Sequence, residues 1–290
     1  MEEFHTSVLL QEVIEGLNVK PGKKYIDATL GGGGHGVEIV KRGGKVLGID
    51  TDEEAIEHVK KILSEKDNIT LVRGNFRDIG EIARAHGFEK VAGVLFDLGV
   101  SSHQLTAKER GFSFQKDGPL DMRMHPKEGF ATAADLVNGL YEHELTSLFE
   151  KYGEDRMARR IARAICVARE VARIETTAEL ARIIERVVGR RVFGGKKSIH
   201  PATKVFQALR IAVNDELGSL EAALPKAVEL LDDKGRIAVI SFHSLEDRIV
   251  KNFFREHSLA KKPIAPTDEE IARNPKARSG KLRIYEKNLS

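Results

Sequence analysis

The stretch Lys24-Tyr-Ile-Asp27-Ala-Thr-Leu-Gly31-Gly-Gly-Gly-His35-Gly36 decides the fold, because an apolar run ends in an acid and leads into a cluster of glycines. The apolar run predicts a short buried strand, and the residues from Val37 to Lys41 predict a helix. Glycine lets the backbone turn sharply and come close to a ligand, because it has no Cβ. The spacing of Gly31, Gly33 and Gly36 also matches GxGxxG, a weak signal alone, so a glycine-rich turn without a ligand is the alternative interpretation.

Strand-like and helix-like stretches alternate on both sides of this loop. Strands separated by helices indicate βαβ units and a parallel sheet with right-handed crossovers. The predicted strands are 24–29, 45–50, 69–72, 91–97, 236–241 and 281–285, and the predicted helices between them include 53–63 and 217–231.

A long helical segment interrupts this pattern. Between Thr106 and Lys204 we find helical periodicity and no convincing strand. The sequence therefore predicts an α/β domain formed by residues 1–105 and 205–290, interrupted by an all-helical insert at residues 106–204. Within the second part, residues 261–280 carry three prolines and several charges, and we predict a mobile loop there.

Composition excludes several classes of protein. The chain has 290 residues, of which 41% are hydrophobic and 31% charged, so it is globular rather than disordered. Its one cysteine, Cys166, cannot form an internal disulfide, and no cluster of His, Asp or Glu has the spacing of a metal site. The N-terminus has no apolar signal region, and no apolar run approaches the ~20 residues that a membrane span needs. We therefore expect a cytoplasmic protein without a bound metal.

The acids beside the glycine loop favour one cofactor class over another. A nicotinamide dinucleotide needs helix N-terminal amides for its pyrophosphate, whereas S-adenosylmethionine has no phosphate and carries an ammonium group, a sulfonium and a nucleoside. Asp27 suits that ammonium group, and Asp50, which ends the second predicted strand, suits the ribose of either cofactor. The other interpretation of Asp50 is a cap for the next helix, which Asp52 would serve equally well.

Two further strand ends carry candidate functional residues. Phe76 follows the third predicted strand and suits an adenine ring, although packing in the core is an equal alternative. Asp97 ends the fourth strand, where an open parallel sheet places its ligands. A carboxylate there would accept from a base amine, whose delocalised lone pair makes it a poor nucleophile. Asp97 is thus the candidate catalytic residue, and contact with the cofactor alone is the other interpretation.

Seven segments of the chain together resemble the bacterial RsmH (also called MraW) family, and the resemblance runs nearly from end to end. It implies a class I, Rossmann-like methyltransferase that transfers a methyl group from S-adenosylmethionine to the N4 amine of a cytidine in small-subunit (16S) ribosomal RNA. The segments are His5–Leu10, Asp27–Gly36, Asp97–Gln104, Arg110–Phe114, Asp117–Met124, His200–Thr203 and Ser241–Arg248. The family's cofactor contacts would fall on Gly33, Gly34, His35, Asp50, Phe76, Asp97 and Gln104.

The distribution of charge points to the acceptor. Between Arg156 and Lys204 there are 13 Lys and Arg against 4 Asp and Glu, a net charge of +9 that leaves −6 for the rest of a chain whose total is +3. This asymmetry favours a polyanion over a merely solvated helix face, so we expect ribosomal RNA, free or in the assembled subunit, to bind the insert. His243 follows a predicted strand and would also reach the cofactor edge, with a structural role as the alternative.

Three other functions fit the sequence less well. A DNA amino-methyltransferase usually has a polar residue, two prolines and an aromatic after its fourth strand, and these are absent after Phe96. An NAD-dependent oxidoreductase is disfavoured by Asp27 and by the lack of a hydride-transfer constellation. A non-catalytic RNA-binding module would not need an intact cofactor loop.

Overall fold

The computed structural model describes residues 7–63, 68–101, 104–105, 107–125, 131–189, 200–257 and 262–288. The chain divides into two compact units, of which the first combines Met1–Ser101 with Leu217–Ser290 and the second is Ser102–Glu216. Within the described ranges, no helix is long and apolar enough to cross a membrane.

The first unit is built on one six-stranded sheet. Its order is β3-β2-β1-β4-β5-β6, with β1 to β5 parallel to their neighbours and β6 antiparallel to β5. The prediction of an α/β fold with a mostly parallel sheet is confirmed, and each predicted strand is present. The strands are β1 Lys24–Asp27, β2 Lys45–Asp50, β3 Ile69–Arg73, β4 Val91–Asp97, β5 Leu231–Ser241 and β6 Lys281–Glu286.

Helices cover both faces of this sheet, which is why its central strands are almost continuously apolar. One face packs against apolar side chains such as Ile79, Leu224 and Phe254, and the other against Val13 and Ile39. Numbered in chain order across both units, the helices here are α1 Leu10–Gly16, α2 Gly34–Lys41, α3 Glu53–Ile62, α4 Ile79–Ala85, α10 Glu216–Leu230, α11 Ser244–His257 and α12 Asp268–Arg273.

The sheet has one point at which its strand order reverses. From β1 the chain adds β2 and β3 on one side, and then returns to place β4 and β5 on the other side. Asp27, Asp50 and Asp97 are the last residues of β1, β2 and β4. Since parallel strands end at a common edge, the fold gathers these acids at the switch point, where open α/β sheets bind their ligands.

The regular secondary structure in the described part of the second unit is helical, apart from an isolated bridge between Pro119 and Thr176, and residues 111–125 form turns and loops. Helix α6 packs against α7 and α9, and α7 packs against α8, with Phe149, Ile161 and Phe206 buried in the unit. The helices are α5 Ala133–Gly139, α6 Glu142–Gly153, α7 Ala158–Val171, α8 Thr177–Val188 and α9 Ala202–Asn214.

The second boundary between the units falls later than the sequence predicts. The predicted boundary at 204 gives most of α9 to the α/β domain, but α9 packs on α6 in the second unit. Lys204 Nζ donates to the Glu154 carbonyl at 2.8 Å, and Gln207 Nε2 donates to the Tyr152 carbonyl at 3.1 Å. Helical periodicity identifies a buried face but not the helix that covers it, so it could not place this boundary.

The segment predicted as a mobile loop at 261–280 is ordered over its described residues from 262. It contains α12 and a 3₁₀ turn at Pro275–Ser279. Ile264 forms a bridge with Leu282, and Leu9 N donates to Glu270 Oε1 at 2.7 Å. The prediction of a mobile loop is therefore wrong there, because contacts with distant residues outweigh the local effect of the prolines.

Candidate functional site

The glycine loop between β1 and α2 has the tight turn that its sequence predicts. Gly33 precedes the first residue of α2 with φ = +78°, a left-handed conformation that favours glycine. A Cβ on Gly33 would lie 2.7 Å from Val59 Cγ2, and one on Gly34 would overlap the Ser7 hydroxyl. Glycine is therefore needed here for the packing of the loop itself, so substituting Gly33 would disturb the loop as well as any ligand.

Asp50 ties the glycine loop to the end of β2. Its Oδ2 accepts from Gly31 N at 2.7 Å, and its Oδ1 accepts from Asp52 N at 2.7 Å. Asp52 caps α3, since its side chain accepts from Glu54 N at 3.1 Å. Of Asp50 and Asp52, the two residues considered as caps for this helix, Asp52 is the cap. Burial raises the pKa of Asp50 to about 6, although the backbone N–H groups of Asp52 and Gly31 oppose that rise.

Asp27 is buried at the end of β1 and is also held by the loop. Its Oδ1 accepts from Thr29 N at 3.3 Å, and the carboxyl group accepts a second backbone hydrogen bond from Gly36. Burial raises the pKa of Asp27 to about 7, and the nearby charge of Asp50 adds to the effect. The acid predicted to meet a ligand's ammonium group is therefore also a structural part of the loop.

The carboxyl group of Asp97 has fewer hydrogen bonds among the described residues than those of Asp27 and Asp50. Its backbone N donates to Thr29 Oγ1 at 2.6 Å, and its Oδ2 lies 3.6 Å from His35 Nδ1. Its Oδ1 is buried and has no hydrogen-bond partner among the described residues. Burial raises the pKa of Asp97 well above its usual range, and the charges of Asp27 and Glu246 raise it further. An unsatisfied buried oxygen is costly, and a donor from a ligand would relieve that cost.

The predicted cofactor contacts are divided between the two compact units. Phe76 begins a 3₁₀ turn three residues after the end of β3 and is half-buried, and its ring packs edge to face on Phe96 with centroids 5.8 Å apart. Core packing thus accounts for one side of Phe76. Gly33, Gly34, His35, Asp50, Phe76 and Asp97 all belong to the first unit, whereas Gln104 is a buried residue of the second unit.

Sequence reasoning missed Glu246, a buried acid in the first turn of α11. Its Oε2 accepts from Phe242 N at 2.8 Å and from His243 N at 3.3 Å, while its Oε1 lies 3.0 Å from His243 Nε2. Glu246 therefore holds the backbone at Phe242 and His243, whereas His243 Nε2 is buried without a hydrogen-bond partner among the described residues. A glutamate three positions after a polar residue, at the start of a helix, is the pattern of a capping box and would have indicated this role.

The chemistry of these side chains fits a positively charged ligand. Asp27, Asp50 and Asp97 are three carboxyl groups whose pKa values are all raised by burial. A pyrophosphate would add negative charge to them, whereas a cation would stabilise their ionised forms. The fold and site together define an α/β domain for a nucleoside cofactor that carries positive charge.

Comparison with known proteins places the chain more narrowly. The MraW methylase family matches residues 2–288, so the chain belongs to that family. A protein of Carboxydothermus hydrogenoformans named ribosomal RNA small subunit methyltransferase H is 49% identical, with 99% of each chain covered. A protein of the same name from Deinococcus deserti is 48% identical, covering 98% of this chain and 93% of that one. A third, from Dehalococcoides mccartyi, is 45% identical, covering 99% and 87%.

The acid cluster predicts that the ligand-free protein loses stability as the pH rises. Asp27 and Asp50 have folded-state pKa values of about 7 and about 6 against a usual 3.8, so the folded state holds protons that the unfolded state has lost. Their contribution is complete below about pH 4 and disappears as the pH rises through about 6 to 7. Denaturant unfolding across this range should show a less steep decline for Asp27→Asn than for the wild type. Parallel declines would show that Asp27 is ionised throughout.

Proposed function

We propose that the protein transfers a methyl group from S-adenosylmethionine to the N4 amine of a cytidine in small-subunit (16S) ribosomal RNA, and that it does so in the cytoplasm. Membership of a methylase family and relatives named small-subunit rRNA methyltransferases support the reaction class. The observation that carries the proposal is the group of buried acids at the switch point, Asp27, Asp50 and Asp97, which suits a cationic cofactor.

The cofactor would supply a methyl group on a sulfonium, which is already an activated leaving group. We assign Asp50 to the ribose hydroxyls, Asp27 to the ammonium end and Phe76 to the adenine ring. Asp50 keeps acceptor capacity for this purpose, because a carboxylate has about four acceptor sites and the backbone N–H groups that hold Asp50 are those of Gly31, Asp52 and Thr51. The loop residues Gly33, Gly34 and His35 complete the proposed contacts within the first unit, and the contact of Gln104 in the second unit stays an expectation from the family resemblance.

Asp97 is the proposed catalytic residue. Its Oδ1 has no hydrogen-bond partner among the described residues, which leaves it able to accept from the N–H group of the target amine. Such acceptance makes the nitrogen lone pair more available and stabilises the charge that develops as the methyl group arrives. The amine is delocalised into its ring, so this assistance is needed even with an activated methyl donor.

The second unit is the proposed docking surface for the RNA. Arg156, Arg159, Arg160 and Arg163 are exposed at and just before the start of α7, and their spacing puts them on one side of the helix. None forms an ion pair with another described residue, unlike Arg173, whose guanidinium lies 2.9 Å from Asp135.

Helix stability does not account for these arginines. The first turn of α7 contains no acid, and cations at a helix N-terminus oppose the helix dipole. Phosphate groups would compensate the charge, and their neutralisation releases counterions from the RNA.

Mass spectrometry of ribosomal RNA nucleosides tests the proposed reaction. Small-subunit RNA from cells lacking this activity is incubated with protein and S-adenosylmethionine, both as free RNA and as assembled subunits. N4-methylcytidine should appear with the wild-type protein. With Asp97→Asn, turnover at saturating substrates should be lower by about 100-fold or more, which is the usual size of general acid–base assistance. If the wild type gives no methylcytidine on either substrate, the proposed reaction is wrong.

Asp50 and Asp52 provide a matched pair for the cofactor site. Asp50→Ala should weaken S-adenosylmethionine binding by about tenfold or more, because it removes a charged hydrogen-bond acceptor and frees the loop at Gly31. Asp52→Ala removes the α3 cap and a charge that raises the pKa of Asp50, so it should cost about 1 kcal/mol of stability and reduce affinity much less than Asp50→Ala. Titration calorimetry distinguishes them, and equal affinities in the two variants would contradict the assignment of Asp50.

The basic side of α7 should determine the salt dependence of RNA binding. Replacing Arg159, Arg160 and Arg163 with Gln should flatten the slope of log affinity against log salt by about 2, since three phosphate contacts are lost. The control replaces the exposed residues Lys41, Lys60 and Lys61 of the first unit, which changes net charge equally. Filter binding over a salt series measures both, and an unchanged slope in the arginine variant would mean that the RNA binds elsewhere.

A further inference from the structure

We propose that His35 and Asp97 form a proton-holding pair, which releases a proton when a cationic cofactor binds and takes up the proton that the acceptor amine loses on methylation. The inference rests on the proposed function and adds a positioning role for His35, which acts on the reaction through Asp97. In this proposal, whether the pair holds a proton depends on the charge of the bound cofactor.

The geometry of His35 fixes which ring nitrogen carries a proton. His35 Nε2 lies 3.1 Å from the backbone carbonyl of Val8, and a carbonyl oxygen can only accept, so Nε2 is the donor. In the neutral ring Nδ1 then has a lone pair, and this lone pair faces Asp97 Oδ2 at 3.6 Å. Two acceptors face each other across a gap that is longer than a hydrogen bond. One proton bound to either group would turn that contact into a hydrogen bond.

The surroundings of Asp97 favour binding of that proton. The charged groups that act on it are Asp27 at the end of β1 and Glu246 on α11, both acidic, while His35 approaches from α2. His243, the other histidine at this edge, lies against Glu246. Burial and these acids together raise the pKa of Asp97, which agrees with the geometry. The pair should therefore hold a proton until a positive charge enters the site.

The proton balance of methyl transfer requires an acceptor at this point. The bond between the amine nitrogen and the methyl carbon forms while the carbon–sulfur bond breaks, and the electron pair of that bond stays on sulfur. The methylated amine is then cationic and loses one proton, which Asp97 can take at Oδ1. Once that proton moves to Oδ2, the carboxyl group can donate to the lone pair of His35 Nδ1, which lies 3.6 Å away. Since sulfur is now uncharged, the sulfonium charge no longer opposes this uptake.

Calorimetry can count the protons without any methyl transfer. S-adenosylmethionine and S-adenosylhomocysteine share the ammonium group and the nucleoside, but only the first carries the sulfonium charge. Titrations of each compound near neutral pH, in buffers of different ionisation enthalpy, give the number of protons released on binding. The wild-type protein should release more protons with S-adenosylmethionine than with S-adenosylhomocysteine.

Two variants locate the source of the released proton. Asp97→Asn cannot bind the proton, so the excess should fall to whatever Asp27 and Asp50 release in response to the sulfonium. His35→Gln retains an N–H group near the Val8 carbonyl but lacks Nδ1, so the excess should shrink and its pH profile should shift. Asp52→Ala removes a helix cap and a charge beside Asp50, and it should keep most of the wild-type excess.

The outcomes separate the two proposals. Equal proton release for both compounds in the wild type would overturn the proton-holding pair while leaving the methyltransferase proposal intact. An excess that persists undiminished in His35→Gln would overturn the role of His35. Binding of neither compound by the wild type would instead overturn the proposed function itself. If Asp97→Asn binds too weakly to measure, the wild-type comparison and His35→Gln still decide.

Discussion

The burial of three carboxyl groups at the ends of β1, β2 and β4 is the constraint on which the site depends. A buried carboxylate is costly unless N–H groups point at it, and the backbone after β1 supplies them. Thr29 and Gly36 donate to Asp27, and Gly31 donates to Asp50. The glycine loop is therefore shaped by the acids as much as by any ligand, and the cofactor site and the loop's own stability share the same atoms.

The proposed cofactor site and the proposed RNA surface need opposite charges. A cofactor with a sulfonium and an ammonium group is stabilised by negative potential, whereas an RNA backbone requires positive potential. The acids lie at the strand ends of the first unit, and the arginines on and just before α7, which form no ion pair with another described residue, belong to the second unit.

The sequence allowed most of the fold to be predicted, because its strands are apolar runs that end in acids or glycines. It also located Asp27, Asp50 and Asp97, since parallel strands end at one edge. It could not show that His35 faces Asp97, because that contact depends on how α2 packs beside β4. The second domain boundary was placed too early for the same reason, because the sequence does not show which helix α9 packs against.

The three acids differ in the number of backbone N–H groups that donate to them. This difference indicates which acid can gain or lose a proton during the reaction. Both oxygens of Asp50 accept short hydrogen bonds, and its pKa is raised only to about 6. Asp27 has a longer bond to Thr29, and its pKa is raised to about 7. Asp97 has no backbone donor on its carboxyl group among the described residues, and its pKa is raised well above its usual range. A carboxylate that backbone groups already stabilise gains little by binding a proton. Of the three acids, Asp97 is therefore the one whose protonation can change during a reaction without dismantling the loop.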